Sequence, residues 1–145
     1  MPKARLILLL LLGLIGREPI YAQISTADSL STLLSNSTSD SQRLILMDEL
    51  IDELINSDVK KALTYAEKSL DLSRQIGDQK NEVRALNKKG LLLYETKERS
   101  ASLEYFEKSE RIAAELGMKE LQVHNLMSIA TVSYTHLTLP TILLV

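Results

Sequence analysis

Residues 62–86 read ALTYAEKSLDLSRQIGDQKNEVRAL, and residues 102–126 read SLEYFEKSERIAAELGMKELQVHNL. The two stretches align without a gap at an offset of 40 positions, and eight of the 25 aligned positions are identical. That number is hard to reach by chance at one offset, and a fixed period in this range is typical of repeat architectures in which one unit stacks on the next. The identical pairs are Leu63/Leu103, Tyr65/Tyr105, Glu67/Glu107, Lys68/Lys108, Ser69/Ser109, Gly77/Gly117, Val83/Val123 and Leu86/Leu126.

Each unit has the pattern of two helices joined by a turn. In the first unit, apolar residues recur at helical spacing over 41–55, and Asp40 is placed to cap this helix. After a polar turn, Asp58 is expected to cap a second helix over 59–76, which Gly77 ends in a left-handed conformation. The apolar positions of the first helix are Leu44, Met47, Leu50, Ile51, Leu54 and Ile55.

The second unit repeats this order. Asp78 precedes a helix over about 79–96, a second helix over about 99–116 ends at Gly117, and a further first helix begins near Lys119. Leu, Ala, Glu, Lys and Ser dominate the composition, with one Phe, no Trp, five Gly and three Pro, which favours helices over a sandwich or barrel. The sequence therefore predicts an all-α fold.

The repeat resembles the tetratricopeptide repeat over about residues 42–130. The resemblance implies an α-α superhelix of helical hairpins, about two and a half units of 40 residues, with bounds 40–77, 78–117 and an incomplete 118–131. The units are longer than the family's usual length of about 34 residues. That family places small residues where paired helices cross, whereas Leu50 stands at this position in the first unit, which predicts a looser or differently packed crossing. Small residues at matching positions are Ala62, Ser69, Gly90, Ser102, Ser109 and Ala130.

By the same resemblance, the first helices line a concave groove that holds a protein or peptide partner. Arg84 and Asn87, helped by Lys88, are expected to hold a carboxylate or a backbone amide there. The family's carboxylate-clamp motif is not matched residue for residue, so capture of a peptide C-terminus is not implied. For each groove position the alternative is ordinary packing against a neighbouring repeat. The expected groove residues are Met47, Ile51, Leu54, Arg84, Asn87, Leu91, Tyr94, His124 and Met127.

The N-terminus has the layout of a secretory signal peptide over residues 1–22. Two basic residues precede the apolar run Leu6 to Ile15, and Ala22 stands before the expected cleavage point. The run is shorter than the roughly 20 residues that span a bilayer, and an uncleaved anchor is the alternative. Residues 23–39 are rich in Ser and Thr and are interpreted as a solvated linker or as a short helical turn that packs on the first repeat. The side chains available for that packing are Leu30, Leu33 and Leu34.

Residues 132–141, VSYTHLTLPT, break the helical pattern with β-branched residues and Pro140. This string resembles the translation of a transposase-type sequencing adapter. The adapter would also complete the codon of Thr131, so we expect the native part of this sequence to end at Ala130, residues 132–145 to be a non-native tail, and the native protein to be longer. A native strand or tail is the alternative.

The remaining residues suggest binding and no catalysis. The net charge of −2 provides no basic field for nucleic acid, and the absence of Cys excludes disulfides, thiolate zinc sites and cysteine nucleophiles. His124 has no acidic or nucleophilic neighbour in a catalytic pattern, and Asp48 and Asp52 lack the further ligands that a metal needs. We therefore predict no catalytic, metal or cofactor site.

The exported start and the long repeats resemble the N-terminal extracytoplasmic repeat region of Bacteroidetes-type sensor histidine kinases and related regulators. In that setting the repeats sense a partner or form a homodimer outside the membrane, and a membrane helix and a signalling domain follow downstream. The competing hypothesis is a freestanding periplasmic scaffold. Either way, the expected location is exported or periplasmic, with contact to the membrane only through the signal peptide or a downstream segment.

Overall fold

The structure is a computed structural model that describes residues 26–142. The expected signal peptide and its cleavage point lie outside the described residues. Within residues 26–142 the chain forms six helices and no strand, which confirms the all-α fold. None of these helices is both long enough and apolar enough to cross a bilayer. The helices are α1 (Thr26–Asn36), α2 (Asp40–Leu54), α3 (Val59–Ile76), α4 (Gln79–Glu95), α5 (Arg99–Glu115) and α6 (Lys119–Ile142).

The helices pack mainly against their neighbours in the sequence, and α2 also touches α4. Burial repeats across the 40-residue offset, because Ser69 and Ser73 are buried in α3 and the matching Ser109 and Ala113 are buried in α5. Leu63 and Leu103 are half-buried in their respective helices. The result is a helical, repeat-like architecture.

Side-chain caps determine where the helices begin. Asp58 accepts a hydrogen bond from the Lys61 backbone N–H at 3.0 Å, and Asp78 accepts one from the Asn81 backbone N–H at 3.1 Å, which confirms both predicted caps. The bond from the Asn81 backbone N–H, supplemented by the Asn81 side chain, lowers the pKa of Asp78. The predicted cap of α2 is wrong, because the preceding Ser39 accepts from Gln42 N–H.

Left-handed residues end three successive helices at intervals of 20 residues. Gly77 has φ 72° and Gly117 has φ 66°, as the sequence predicts, and Lys97 between them also has φ 66°. At all three turns the next N–H donates to the carbonyl five residues back, with N···O distances of 2.8 to 2.9 Å. This is the Schellman arrangement, and it satisfies carbonyls that the helix ends leave free.

The Ser/Thr-rich stretch forms a helix over most of its length. Ala27, Leu30 and Leu34 of α1 pack against the core of the first hairpin, whereas Leu33 is 54% exposed. The interpretation of 23–39 as a linker is therefore wrong for residues 26–36. The apolar residues of this stretch span too few helical turns to predict a stable helix by themselves. The helix forms because its apolar side chains pack on the first hairpin.

The last helix continues beyond the position where the sequence pattern predicts a break. It runs to Ile142, and Val132 is buried at 3% exposure. The hydroxyls of Thr131 and Thr135 donate to the carbonyls of Met127 and Thr131, so these β-branched residues satisfy their polar groups within the helix. The expected break is wrong, whereas the resemblance of residues 132–141 to an adapter stays a prediction.

The two hairpins differ at the point where their helices cross. In the first, Leu50 and Ala66 belong to one core cluster and both are 0% exposed. In the second, Gly90 lies against Phe106, and a Cβ added to Gly90 would lie 2.9 Å from the Phe106 ring. The first crossing thus buries its large residue on α2 in one cluster with a small residue of α3, whereas the second has the small residue on α4 and the large one on α5, so the first crossing is differently packed.

Candidate partner-binding groove

A groove lies between α4 and α6, over α5. Leu91 and Tyr94 form one wall, Met127 forms the other, and Phe106 of α5 lies at the base. Its cavity is about 180 Å³, large enough for one or two apolar side chains of a partner. The Phe106 ring packs directly against Gly90 of α4, where a larger residue would leave it no room. The remaining lining residues are His124, Ser128, Thr131 and Val132.

A second, more open depression adjoins the groove at His124. Arg84 lies on its α4 side, and residues 117–121, at the start of α6 and just before it, form the other side. Arg84 is exposed, so its guanidinium is free to approach an acidic group of a partner. The groove and the depression therefore form an apolar surface with a cationic side chain at one end.

A chain of buried hydrogen bonds lies under the groove. The Asn87 amide Nδ2 donates to Asn125 Oδ1 at 2.6 Å, and Asn125 Nδ2 donates to Ser109 Oγ at 2.8 Å. Ser109 Oγ donates in turn to the Val83 carbonyl at 3.0 Å. The chain joins α4, α5 and α6, and it gives partners to the amide nitrogen of buried Asn87 and to both side-chain polar atoms of buried Asn125.

His124 connects this buried chain with the surface. Its Nδ1 lies 3.3 Å from Asn87 Nδ2 and serves as the acceptor when the neutral ring carries its proton on Nε2. The imidazole is exposed and borders both the groove and the Arg84 depression. His124 thus positions the Asn87 amide while its own ring remains accessible to a partner.

The sequence predicts that Lys88 acts together with Arg84 and Asn87, but the structure places its ammonium group elsewhere. Its ammonium group pairs with Asp52 and lies 3.7 Å from Asp48, so it ties α4 to α2. Both carboxylates of the pair that we considered for a metal therefore lie beside the same ammonium group. Among residues 26–142, no group of three or more potential ligands lies close enough to hold a metal ion.

The structure brings together five of the nine expected groove residues and buries the other four. Leu91, Tyr94, His124 and Met127 line the groove, and Arg84 lies in the adjoining depression. The prediction that the remaining four side chains are exposed to a partner is wrong. The three on α2 are covered by neighbouring helices, and Asn87 is hydrogen-bonded beneath the groove. Their exposures are Met47 3%, Ile51 1%, Leu54 6% and Asn87 5%.

Two residues of the site were not among the expected groove residues. Phe106 carries a weak sequence signal, because Ala66 stands at the matching position and the change of size indicates a local rearrangement. Asn125 carries none, since its counterpart 40 residues earlier is Ala85. No protein-family model, no curated protein and no solved structure matches this chain.

Proposed function

We propose that this chain is a protein-interaction scaffold of tetratricopeptide-like hairpins and that the groove between α4 and α6 binds an apolar segment of a partner protein. The observation that carries the proposal is the accessible apolar wall of Leu91, Tyr94 and Met127 above a hydrogen-bonded base. Met127 is 66% exposed and adjoins the other apolar side chains of the groove, and a contiguous exposed apolar surface is typical of a protein-interaction site. Methionine also adapts its shape to different partners.

The chemistry of the surface defines the preferred partner. An apolar side chain would enter the groove beside Leu91 and Met127, and an acidic side chain of the same segment would reach Arg84. A guanidinium forms two parallel hydrogen bonds to a carboxylate, so this contact gives orientation as well as attraction. The proposal assigns recognition to this surface and assigns no reaction to it.

The setting that we propose is the exported part of a sensor histidine kinase or related regulator, and it is supported by the sequence resemblance. A freestanding periplasmic scaffold is the alternative. Sequencing the source DNA downstream of this fragment distinguishes the two settings. A segment of about 20 apolar residues followed by a kinase motif supports the sensor, whereas a stop codon after further repeats supports the scaffold.

Selection from a random peptide library displayed on phage tests the groove. We expect the immobilised chain to enrich peptides that combine an apolar anchor with an acidic residue. The Met127→Glu variant should weaken binding of the enriched peptides about tenfold, because it places a charge in the apolar wall. The Arg84→Glu variant should remove the preference for acidic residues and leave the apolar anchor.

Ile45→Glu is the matched control, since Ile45 is a similarly exposed apolar residue, 57% accessible, on α2 away from the groove. Binding that survives Ile45→Glu and fails in Met127→Glu supports the proposal. Equal losses in both variants, or no enrichment by a folded chain, overturn it.

A further inference from the structure

A cavity lies between the first three helices, at the end where α1 finishes and α2 begins. Each helix contributes one apolar side chain to its lining, Leu34 from α1, Met47 from α2 and Leu72 from α3. Its volume is about 530 Å³, which is in the range of small-molecule sites. The cavity shares no residue with the groove between α4 and α6, so it is a separate candidate site.

Charged side chains of both signs line the same cavity. Arg43 of α2 and Lys68 of α3 are cationic, Asp71 of α3 is anionic, and all three are exposed. Lys68 and Asp71 stand three positions apart, so they lie on the same side of α3. The lining therefore combines two positive charges and one negative charge with an apolar surface.

The protein itself does not use all the hydrogen-bond donors of the two cations. Arg43 Nη1 lies 3.4 Å from Asp40 Oδ1, and a guanidinium has five N–H donors. Lys68 Nζ lies 5.7 Å from the centroid of the Tyr65 ring, and it forms no salt bridge with the side chains that the structure describes. Both cations therefore keep N–H donors for a bound carboxylate.

The equivalent lysine of the next hairpin has a carboxylate partner on its own helix. Lys108 stands 40 residues after Lys68, and its Nζ lies 3.9 Å from Glu104 Oε2. Thr64 stands at the place of Glu104 before Lys68, and its hydroxyl donates to the Lys60 carbonyl. The exchange of Glu for Thr leaves Lys68 without that partner.

The corresponding junction one hairpin later is filled by side chains. Ile112, the counterpart of Leu72, packs there against a buried apolar cluster. Arg74 of α3 also pairs with Glu82 of α4 at 2.8 Å. At the first junction, the end of α1 supplies serines to the lining, and these small side chains leave the space open.

We propose that the cavity between α1, α2 and α3 binds an apolar amino acid as a zwitterion. Its carboxylate lies between Arg43 and Lys68, its ammonium group lies beside Asp71, and its side chain packs on the apolar lining. Charge-assisted hydrogen bonds hold the carboxylate. A simple anion would leave Asp71 without a partner, and a simple cation would face two like charges, so a zwitterion matches the lining best.

A bound amino acid would also join α1 to the first hairpin. Helix α1 has no fully buried residue, and it packs on the core through partly buried side chains such as Leu34. A ligand that contacts α1, α2 and α3 together stabilises the packed position of α1. Its binding should therefore slow hydrogen exchange of the α1 amides.

Titration of the 145-residue chain with leucine, followed by NMR, tests the site. We expect the amide signals of residues 34–37 and 68–75 to shift, with a Kd of about 1 mM for so small a ligand. Leucinamide lacks the carboxylate and isocaproate lacks the ammonium group. Each should bind at least about fivefold more weakly than leucine.

Variants at the charged positions show where the ligand binds. Lys68→Gln should weaken leucine binding about tenfold. Lys108→Gln is the matched control and should leave binding unchanged, because Lys108 holds the same place on α5 and does not line the cavity. Asp71→Asn should remove the preference for leucine over isocaproate.

Three results overturn the proposal. The first is the absence of these shifts at millimolar leucine in a chain that circular dichroism shows to be helical. The second is equal binding of leucine and either analogue. The third is a Lys68→Gln variant that binds leucine no more weakly than the Lys108→Gln variant.

Discussion

The two hairpins of this molecule reach equally complete burial with opposite choices of residue size. In the first, the large Leu50 is on α2 and the small Ala66 is on α3; in the second, the small Gly90 is on α4 and the large Phe106 is on α5. All four side chains or positions are buried. The comparison indicates that the combined volume of the two residues at a crossing is what matters. Either residue can be the large one, provided that the other is small.

The largest effect is expected from emptying the first crossing. Leu50→Gly removes a fully buried side chain and adds a glycine to a helix interior, so it should lower the free energy of unfolding by about 4 kcal/mol. Adding Ala66→Phe should restore more than half of that loss, because the pair then matches Gly90 and Phe106. Urea unfolding followed by circular dichroism measures both values.

Ile45→Gly on the same helix is the control for the glycine, since its side chain is 57% exposed and fills no core space. Its cost should be about 1 kcal/mol, the helix propensity alone. If the double variant is less stable than Leu50→Gly alone, the two crossings are not interchangeable, and the idea of a pair that conserves space is wrong.

The second crossing should respond in the opposite direction. Gly90→Leu forces a side chain into the Phe106 ring, because even a Cβ lies 2.9 Å from the ring atoms, and it should cost about 3 kcal/mol. The double variant Gly90→Leu/Phe106→Ala should recover most of the stability that Gly90→Leu loses, because the ring that clashes with the new side chain is gone. Thermal and urea unfolding of the two single variants and the double variant give the coupling energy.

Gly90→Ala provides a graded control. It should cost less than Gly90→Leu in the natural background and should stabilise the chain in the Phe106→Ala background, where alanine favours the helix and meets no ring. Additive effects of the two changes would contradict a direct size match at this crossing.

The hairpin order could be predicted from the sequence, whereas the partner of each apolar face could not. The 40-residue alignment and the caps at Asp58, Asp78, Gly77 and Gly117 are local signals, and the structure confirms them. A helical period shows that a face is apolar. It does not show which neighbouring helix covers that face.

Because the sequence does not show which helix covers each apolar face, some residues of the predicted site were placed wrongly. Met47 and Met127 occupy the same place in the repeat, yet the first is 3% exposed and the second is 66% exposed. Their difference depends on the neighbouring helices of each repeat. The buried role of Asn125 was equally hidden, because it depends on distant Asn87 and Ser109.

A smaller effect is expected from the polar layer beneath the groove. Asn125→Ala removes the acceptor that lies 2.6 Å from the Asn87 amide and the donor to the Ser109 hydroxyl, which keeps only its bond to the Val83 carbonyl. It should lower the free energy of unfolding by about 2 kcal/mol. One repeat earlier, Met47 and Ala85 stand at the places of Asn87 and Asn125, and both are buried. The double change Asn87→Met/Asn125→Ala should therefore recover part of the loss, since it copies the apolar version of this layer.

Ser128→Ala is the control on the same helix, because the Ser128 hydroxyl bonds only to the backbone of its own helix at His124. Its effect should stay within about 0.5 kcal/mol. Were Asn125→Ala equally harmless, the buried chain of hydrogen bonds would have no part in holding α6 on the stack.

The smallest expected effect concerns the turns between helices. Gly77 and Gly117 adopt positive φ at little cost, while Lys97 does so with a Cβ that disfavours this conformation. Lys97→Gly should raise the free energy of unfolding by about 0.5 to 1 kcal/mol, and Lys97→Ala should not. Glu98 forms no side-chain cap on α5, unlike Asp78 on α4, so adding Glu98→Asp should contribute about 0.5 kcal/mol more. Urea unfolding measures these differences. If Lys97→Gly and Lys97→Ala were equally stable, the backbone at position 97 would not have the left-handed conformation that Gly77 has, and the three turns would not be equivalent.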